Sequence, residues 1–156
     1  MKHALAAIIL ALSLTAPVAA GPLEDATAAY DRCDYAVALR LFRPLASQGD
    51  VYAQTNLGLM YHVGQGVPQN HDEAAKWFWL AANRGVASAQ ALLGFMYADG
   101  QGVPQDYVRA HMWFDLSAAQ GGQVAAIERD SISKLMTPAQ IAEAQKLARE
   151  WQPKRP

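Results

Sequence analysis

A stretch of six residues, GQGVPQ, occurs twice in this chain, at residues 64–69 and again at residues 100–105. Superimposing residues 34–69 on residues 70–105 without a gap gives 16 identical positions out of 36. A third, degenerate copy starts at Asp106. A fixed period between about 20 and 50 residues is typical of solenoids, in which each unit is one supersecondary element. The period therefore limits the chain to a stack of similar units.

Each unit has the apolar pattern of two helices. Its apolar residues recur at spacings of three and four, which is the period of a helix with one buried face. In the second copy the first helix carries Ala74, Phe78, Ala81 and Ala82, and the second helix carries Ala89, Leu93, Met96 and Tyr97. The pattern predicts an all-α fold made of helix pairs.

Glycines and prolines mark the turns between these helices. Gly64 and Gly100 can end a helix in the left-handed conformation, and Pro68 and Pro104 prevent a helix from running across the hexapeptide. We interpret GQGVPQ as the turn between successive helix pairs. A phosphate-binding loop is the alternative, but the third glycine of GxGxxG is missing. The predicted turn residues are Gly49, Gly64, Gly66, Pro68, Gly85, Gly100, Gly102, Pro104 and Gly121.

The two ends of the stack need caps, because one helix pair cannot bury its own apolar face. Residues 21–33 are predicted to hold a capping helix before the first unit. Residues 137–151 are predicted to form a second capping helix, which opens with a Thr-Pro-Ala-Gln capping box. Residues 152–156 are expected to fray. Pro44 falls inside a predicted helix and is expected to kink or loosen it.

Residues 1–20 have the pattern of a cleaved secretory signal peptide. Lys2 is followed by an apolar run over residues 4–14 and by small residues at positions 18–20. A membrane anchor is the alternative, but the run is shorter than the roughly 20 residues that a spanning helix needs. Export predicts a periplasmic or secreted protein. Cys33 is the single cysteine, so it cannot pair within the chain, and we expect it to be half-buried.

The recurring Trp-Phe, Ala-Ala, Ala-Gln, Leu-Gly, Met-Tyr and Gly-x-Gly-Val pattern resembles the Sel-1-like repeat family, relatives of the tetratricopeptide solenoids. The resemblance implies a right-handed superhelix of antiparallel helix pairs that acts as a scaffold for other proteins or peptides. Repeat one is expected at residues 34–69, repeat two at residues 70–105 and a degenerate repeat three at residues 106–136. Cys33 stands where the family often has glycine, which implies a turn with some backbone strain.

Composition and motifs do not favour an enzyme. The 13 basic and 14 acidic residues give no excess charge for binding nucleic acid, and the histidines lack metal-ligand spacing, so neither metal nor cofactor is predicted. Ser131 and Lys134 do form an S-x-x-K motif, although the other motifs of penicillin-binding enzymes are missing. A cell-wall-related hydrolase or beta-lactam-binding protein therefore stays as the alternative to a non-enzymatic scaffold.

Comparison of equivalent positions in the repeats suggests a binding surface. Trp79 aligns with Arg43 and Asp115, so an indole occupies a position that the sister repeats give to charged groups. An exposed tryptophan is typical of interaction hot spots, although it could also fold over its neighbours. The candidate residues for binding a protein or peptide partner are Trp79, Lys76, Arg84 and His62.

Overall fold

Eight helices follow one another along the part of the chain that the computed structural model describes, residues 20–155. They are α1 (Pro22–Asp31), α2 (Tyr35–Ser47), α3 (Val51–Val63), α4 (His71–Asn83), α5 (Ala87–Asp99), α6 (Tyr107–Ala119), α7 (Gln123–Ser133) and α8 (Pro138–Glu150). Each helix from α1 to α6 packs against the next, whereas α8 packs on α6 instead of α7. The expected all-α repeat fold is confirmed. Of the predicted signal peptide, only Ala20 lies within the described residues.

The turns have the glycine conformations that the sequence led us to expect. All seven predicted turn glycines have positive φ, from 68° at Gly100 to 95° at Gly49. Cys33 is the one non-glycine residue with positive φ in the described part of the chain, at 61°. It is exposed rather than half-buried. The family resemblance had placed Cys33 at such a turn.

The two GQGVPQ loops are held by the same hydrogen bonds. In the first copy, Gln69 Nε2 donates to the His62 carbonyl over 2.8 Å, and Asn70 N donates to the Tyr61 carbonyl over 2.8 Å. Both bonds return the chain to the last turn of α3, where helix carbonyls lack intrahelical partners. The second copy repeats the pair with Gln105 to Ala98 and Asp106 to Tyr97.

Side-chain caps set the starts of several helices. Asn70 Oδ1 accepts from Glu73 N over 3.0 Å at the start of α4, and Asp106 caps α6 in the same way. At α8 both halves of the predicted capping box form between Thr137 and Gln140. Each such cap contributes about 1 kcal/mol to helix stability.

The buried core has the same period as the sequence repeat. Phe42, Phe78 and Phe114 are equivalent positions in successive repeats, and all three are fully buried. Gly58 and Gly94 lie under the rings of Phe78 and Phe114, so the small residue makes room for a ring of the following helix. The two buried clusters on which these rings lie run through the whole stack.

The end helices differ in detail from their predictions. The sequence pattern predicts a first helix from Glu24 to Arg32 with Ala28 and Ala29 or Tyr30 facing inward. In the structure α1 begins at Pro22, buries Ala26 as well as Ala29, and leaves Ala28 partly exposed. Proline is well suited to that first position, because it has no N–H to leave unpaired there. Pro44 does not end α2, which continues to Ser47.

The described residues after α8 lie beside the end of α4. Lys154 N donates to the Asn83 carbonyl over 2.7 Å, and the Trp151 ring lies 6.3 Å from the Trp113 ring in an edge-to-face arrangement. The half-buried Trp151 ring and this backbone hydrogen bond place residues 151–154 beside α4 and α6.

Candidate functional site

A groove runs between α4 and α6, and α5 forms its floor. The part of the groove beside α4 has a volume of about 710 Å³. Its α4 wall consists of Asp72, Lys76, Trp79 and Leu80, and its floor includes Leu93 and Tyr97. Trp79 and Tyr97 also border a second hollow, toward Met112 of α6 and Leu147 of α8. The groove is therefore mostly apolar, with charged groups at its rim.

Helical geometry brings Trp79 to the rim. Phe78 is fully buried, and the next residue on a helix lies about 100° further around, so the indole of Trp79 points out of the core. Trp79 remains 41% exposed. Lys76, three residues earlier, lies on the same face of α4. The sequence prediction that Trp79 and Lys76 share one surface is consistent with this placement.

Lys154 covers one face of the Trp79 indole. Its Nζ lies 4.6 Å from the ring centroid, which is within the range of a cation–π contact. Asn83, one turn after Trp79 on α4, accepts the backbone hydrogen bond from Lys154. The segment that follows α8 therefore occupies one end of the groove.

The rim charges are partly paired with each other. Lys76 Nζ donates to Glu73 over 2.6 Å, and this hydrogen bond raises the pKa of Lys76 above its ordinary value. Arg109 of α6 donates to the Tyr97 hydroxyl over 3.2 Å, and that hydrogen bond raises the pKa of Arg109. Both cations therefore keep their charge at neutral pH, while Asp72 adds an acidic group to the α4 wall.

Arg84 and His62, the other two predicted residues, do not line this groove. Arg84 Nη1 donates to the Gly49 carbonyl over 3.3 Å and so caps the turn of the preceding repeat. The His62 ring packs 5.0 Å from the His71 ring and 6.4 Å from the Phe78 ring. Alignment of the repeats showed that these positions vary, but it could not show which side of the stack they face.

Several residues of the groove were not among the predicted binding residues, and three of them show why. Tyr97 was assigned to packing because it recurs in the repeat, yet its ring forms the floor. Val103 follows the second loop glycine and closes one end. Lys154 lies in the segment that was expected to fray, and no periodic signal in the sequence marks it.

The side chains of the S-x-x-K motif do not form a hydrogen-bonded pair. Ser131 Oγ donates to the Ile127 carbonyl over 2.9 Å, one turn earlier in α7. Within the described residues no side-chain hydrogen bond joins Ser131 to Lys134, and both residues are exposed. Within residues 20–155, no three His, Cys, Asp or Glu side chains are grouped so as to hold a metal ion. In the same residues, every helix falls short of the length and apolarity needed to cross a bilayer.

Comparison with known proteins identifies the repeat. The family model of the Sel1 repeat matches residues 29–50, 51–86 and 87–122, which together exceed half of the chain. These units begin one helix away from the predicted ones, so GQGVPQ lies inside a unit rather than between units. No curated protein sequence matches the chain.

Two solved structures share the fold. A protective antigen present in uropathogenic Escherichia coli strains, which displays an SLR fold, is 33% identical with a TM-score of 0.78, and the match covers 84% of this chain and 30% of the antigen. A Sel1 repeat protein from Oxalobacter formigenes is 24% identical with a TM-score of 0.69, over 83% of this chain and 56% of that one. The chain thus spans about a third of the length of the antigen and about half of the length of the Oxalobacter formigenes protein. With three matched repeats in an all-α stack, it belongs to the Sel1-repeat family.

Proposed function

We propose that this chain is an exported, non-enzymatic scaffold that binds a protein or peptide segment in the groove between α4 and α6. Sel1-repeat proteins are typically protein-interaction scaffolds, which supports the general class. The groove supplies a specific place for the contact.

The exposed indole of Trp79 is the observation that carries this proposal. Tryptophan is enriched among the residues that dominate binding energy, because a large rigid ring buries much area at little entropic cost. Here the ring stands above an apolar floor that includes Leu93 and Tyr97. The sister repeats have Arg43 and Asp115 in its place, so packing of the repeat does not require an indole there.

Export is supported by the first 20 residues alone. The positive start, the apolar run and the small residues before Gly21 form the tripartite pattern of a signal peptide. We propose that the repeats act in the periplasm or outside the cell.

A matched pair of crosslinking positions tests the binding surface. Lys76 lines the groove, and Arg40 is its equivalent in the first repeat, exposed but outside the groove. A photo-crosslinking amino acid at position 76 is expected to give discrete adducts in the native host, and the same group at position 40 is not. These adducts should disappear when the protein also carries Trp79→Arg, because arginine is the residue that the first repeat has at the equivalent position 43. Identical adducts from both positions would refute the proposal.

The non-enzymatic part is tested separately. A fluorescent penicillin is expected to leave the purified chain unlabelled, because the Ser131 hydroxyl donates to the Ile127 carbonyl and not to the Lys134 side chain. Covalent labelling that Ser131→Ala abolishes would instead support the beta-lactam alternative.

A further inference from the structure

The segment that follows α8 lies in the groove in the manner of a bound peptide. Trp151 leaves the helix with φ −67° and ψ 137°, which is extended backbone. From there the chain runs past Gly85 to Lys154, whose ammonium group lies over Trp79. A short basic stretch of polypeptide therefore lies against one end of the groove, at Trp79 and the last turn of α4.

Three features of this segment are recognised by three features of the groove. The Trp151 ring packs edge-to-face on Trp113, 6.3 Å away. The backbone N–H of Lys154 donates to the Asn83 carbonyl over 2.7 Å. The Lys154 ammonium group lies 4.6 Å from the centroid of Trp79. An apolar anchor, a main-chain hydrogen bond and a charge-specific contact are the usual components of extended-peptide recognition.

The charge-specific component belongs to this repeat alone. An arginine in place of Trp79, as in the first repeat at position 43, would repel a lysine, and the aspartate at position 115 is already paired with Arg129 over 2.9 Å. An indole attracts a cation through the negative potential of its ring face, whereas it offers an anion no such attraction. The groove therefore selects for positive charge at this point.

We infer that the partner of this groove is an extended basic segment, with a lysine or arginine that takes the place of Lys154 over Trp79. This inference rests on the proposed function and adds the chemistry of the partner. The resident segment is tethered through α8, so its effective concentration at the groove is high, on the order of millimolar for a short tether. A partner displaces it by also using the open part of the groove beside Asp72 and Leu93.

A synthetic peptide covering residues 150–155, labelled with a fluorophore, is the probe. Its binding to the full chain is measured by fluorescence anisotropy. Lys154→Gln in the protein weakens the resident segment and is expected to tighten peptide binding at least threefold. Lys146→Gln is the matched control, because it removes the same charge from an exposed position on α8 and is expected to change nothing.

Two further variants test the charge contact. Trp79→Arg is expected to weaken peptide binding at least tenfold in the Lys154→Gln background, and circular dichroism with thermal unfolding shows whether the variant is folded. A peptide with norleucine in place of its lysine is expected to bind at least threefold more weakly. Equal binding of the norleucine peptide, or an affinity that Lys154→Gln leaves unchanged, overturns the inference.

The inference and the proposed function fail in different ways. If crosslinking from position 76 captures a partner segment that contains no lysine or arginine, the partner chemistry is wrong and the scaffold function stands. If no adduct forms at position 76, the scaffold function fails whatever the peptide does.

Discussion

Gly66, in the loop between α3 and α4, lies directly against Tyr35 at the start of α2. A β-carbon built on Gly66 would lie 2.8 Å from the Tyr35 carbonyl oxygen. Gly102 has the same relationship to His71 at the start of α4. Each GQGVPQ loop is thus stacked on the first turn of a helix in the preceding repeat. The second glycine of the hexapeptide therefore supplies space between repeats as well as a positive φ.

Gly66→Ala should be more destabilising than a substitution that strains the backbone alone. Gly66 has φ 72°, so alanine there costs about 1–2 kcal/mol in conformation, and the contact with Tyr35 adds about 1–3 kcal/mol. Gly121→Ala is the control, because its φ is 94° and no atom lies within 4 Å of the added carbon. Urea unfolding measures both free energies. An equal loss in the two variants would contradict a role for the stacking contact.

Gly94→Ala should destabilise the core because the added carbon clashes with the ring of Phe114. The added carbon would lie 2.7 Å from Cδ1 of Phe114, so the ring must move. Alanine favours a helix over glycine by about 1 kcal/mol, but overpacking costs about 1–3 kcal/mol, and we expect a net loss.

The control for that prediction is the same substitution in a Phe114→Leu background. Leucine removes the ring, so Gly94→Ala should then be neutral or stabilising in urea unfolding. The same loss in both backgrounds would show that the clash is with something other than Phe114.

The sequence predicted the fold well because the fold is periodic. A 36-residue repeat with glycines at fixed positions specifies helix pairs and turns, and seven turn glycines have the expected φ. It predicted the site less well, because a binding site depends on contacts between side chains from helices that are distant in the sequence. The exposure of Trp79 could be inferred from Arg43 and Asp115, whereas the position of Lys154 over its ring is set by α8 folding back on α6.

The two equivalent buried glutamines should differ in their contribution to stability. Gln54 and Gln90 each donate from Nε2 to a helix carbonyl, at Ala46 and Ala82 respectively. Gln90 Oε1 also accepts from Gln120 over 2.8 Å, whereas Gln54 Oε1 is buried without a partner. Breaking one such hydrogen bond lowers the free energy of unfolding by about 1 kcal/mol.

Methionine at each position tests this difference, because it keeps the length of the side chain. Gln90→Met is expected to cost about 1 kcal/mol more than Gln54→Met, since it breaks one more hydrogen bond. The two free energies of unfolding come from urea titrations under the same conditions. A larger loss at position 54 would be the opposite of the expected result.

The protein should lose stability as the pH falls below about 6.5, the ordinary pKa of histidine. Burial lowers the pKa of His111, an effect that Arg129 increases and that Asp115 and Asp130 oppose. Burial and the nearby His71 likewise lower the pKa of His62, while Asp99 opposes them. The unfolded chain then binds more protons than the folded chain, so stability present above about pH 6.5 is lost as the pH drops toward the lowered values.

Two alanine variants test the source of this pH dependence. Alanine is the residue that other repeats have at these places, namely Ala75 for His111 and Ala98 for His62. The double variant is expected to show a smaller drop in unfolding free energy between about pH 7.5 and about pH 5.5 than the wild type. The quantity compared is the change in unfolding free energy with pH and not its absolute value, because His111→Ala also removes packing contacts at every pH. An unchanged slope would assign the effect to other groups.

Cys33→Gly should stabilise the protein. Cys33 is held at φ 61° by its own N–H, which donates to the Tyr30 carbonyl, and by Asp34 N, which donates to the Ala29 carbonyl. A left-handed conformation costs an L-residue about 1–2 kcal/mol, and glycine avoids that cost while adding some entropy to the unfolded chain. The expected net gain is about 0.5–1 kcal/mol in urea unfolding. Cys33→Ala separates the backbone from the thiol: it keeps the strain and is expected to leave stability within about 0.5 kcal/mol of the wild type. If alanine stabilised as much as glycine, the thiol and not the dihedral angle would be the source of the strain.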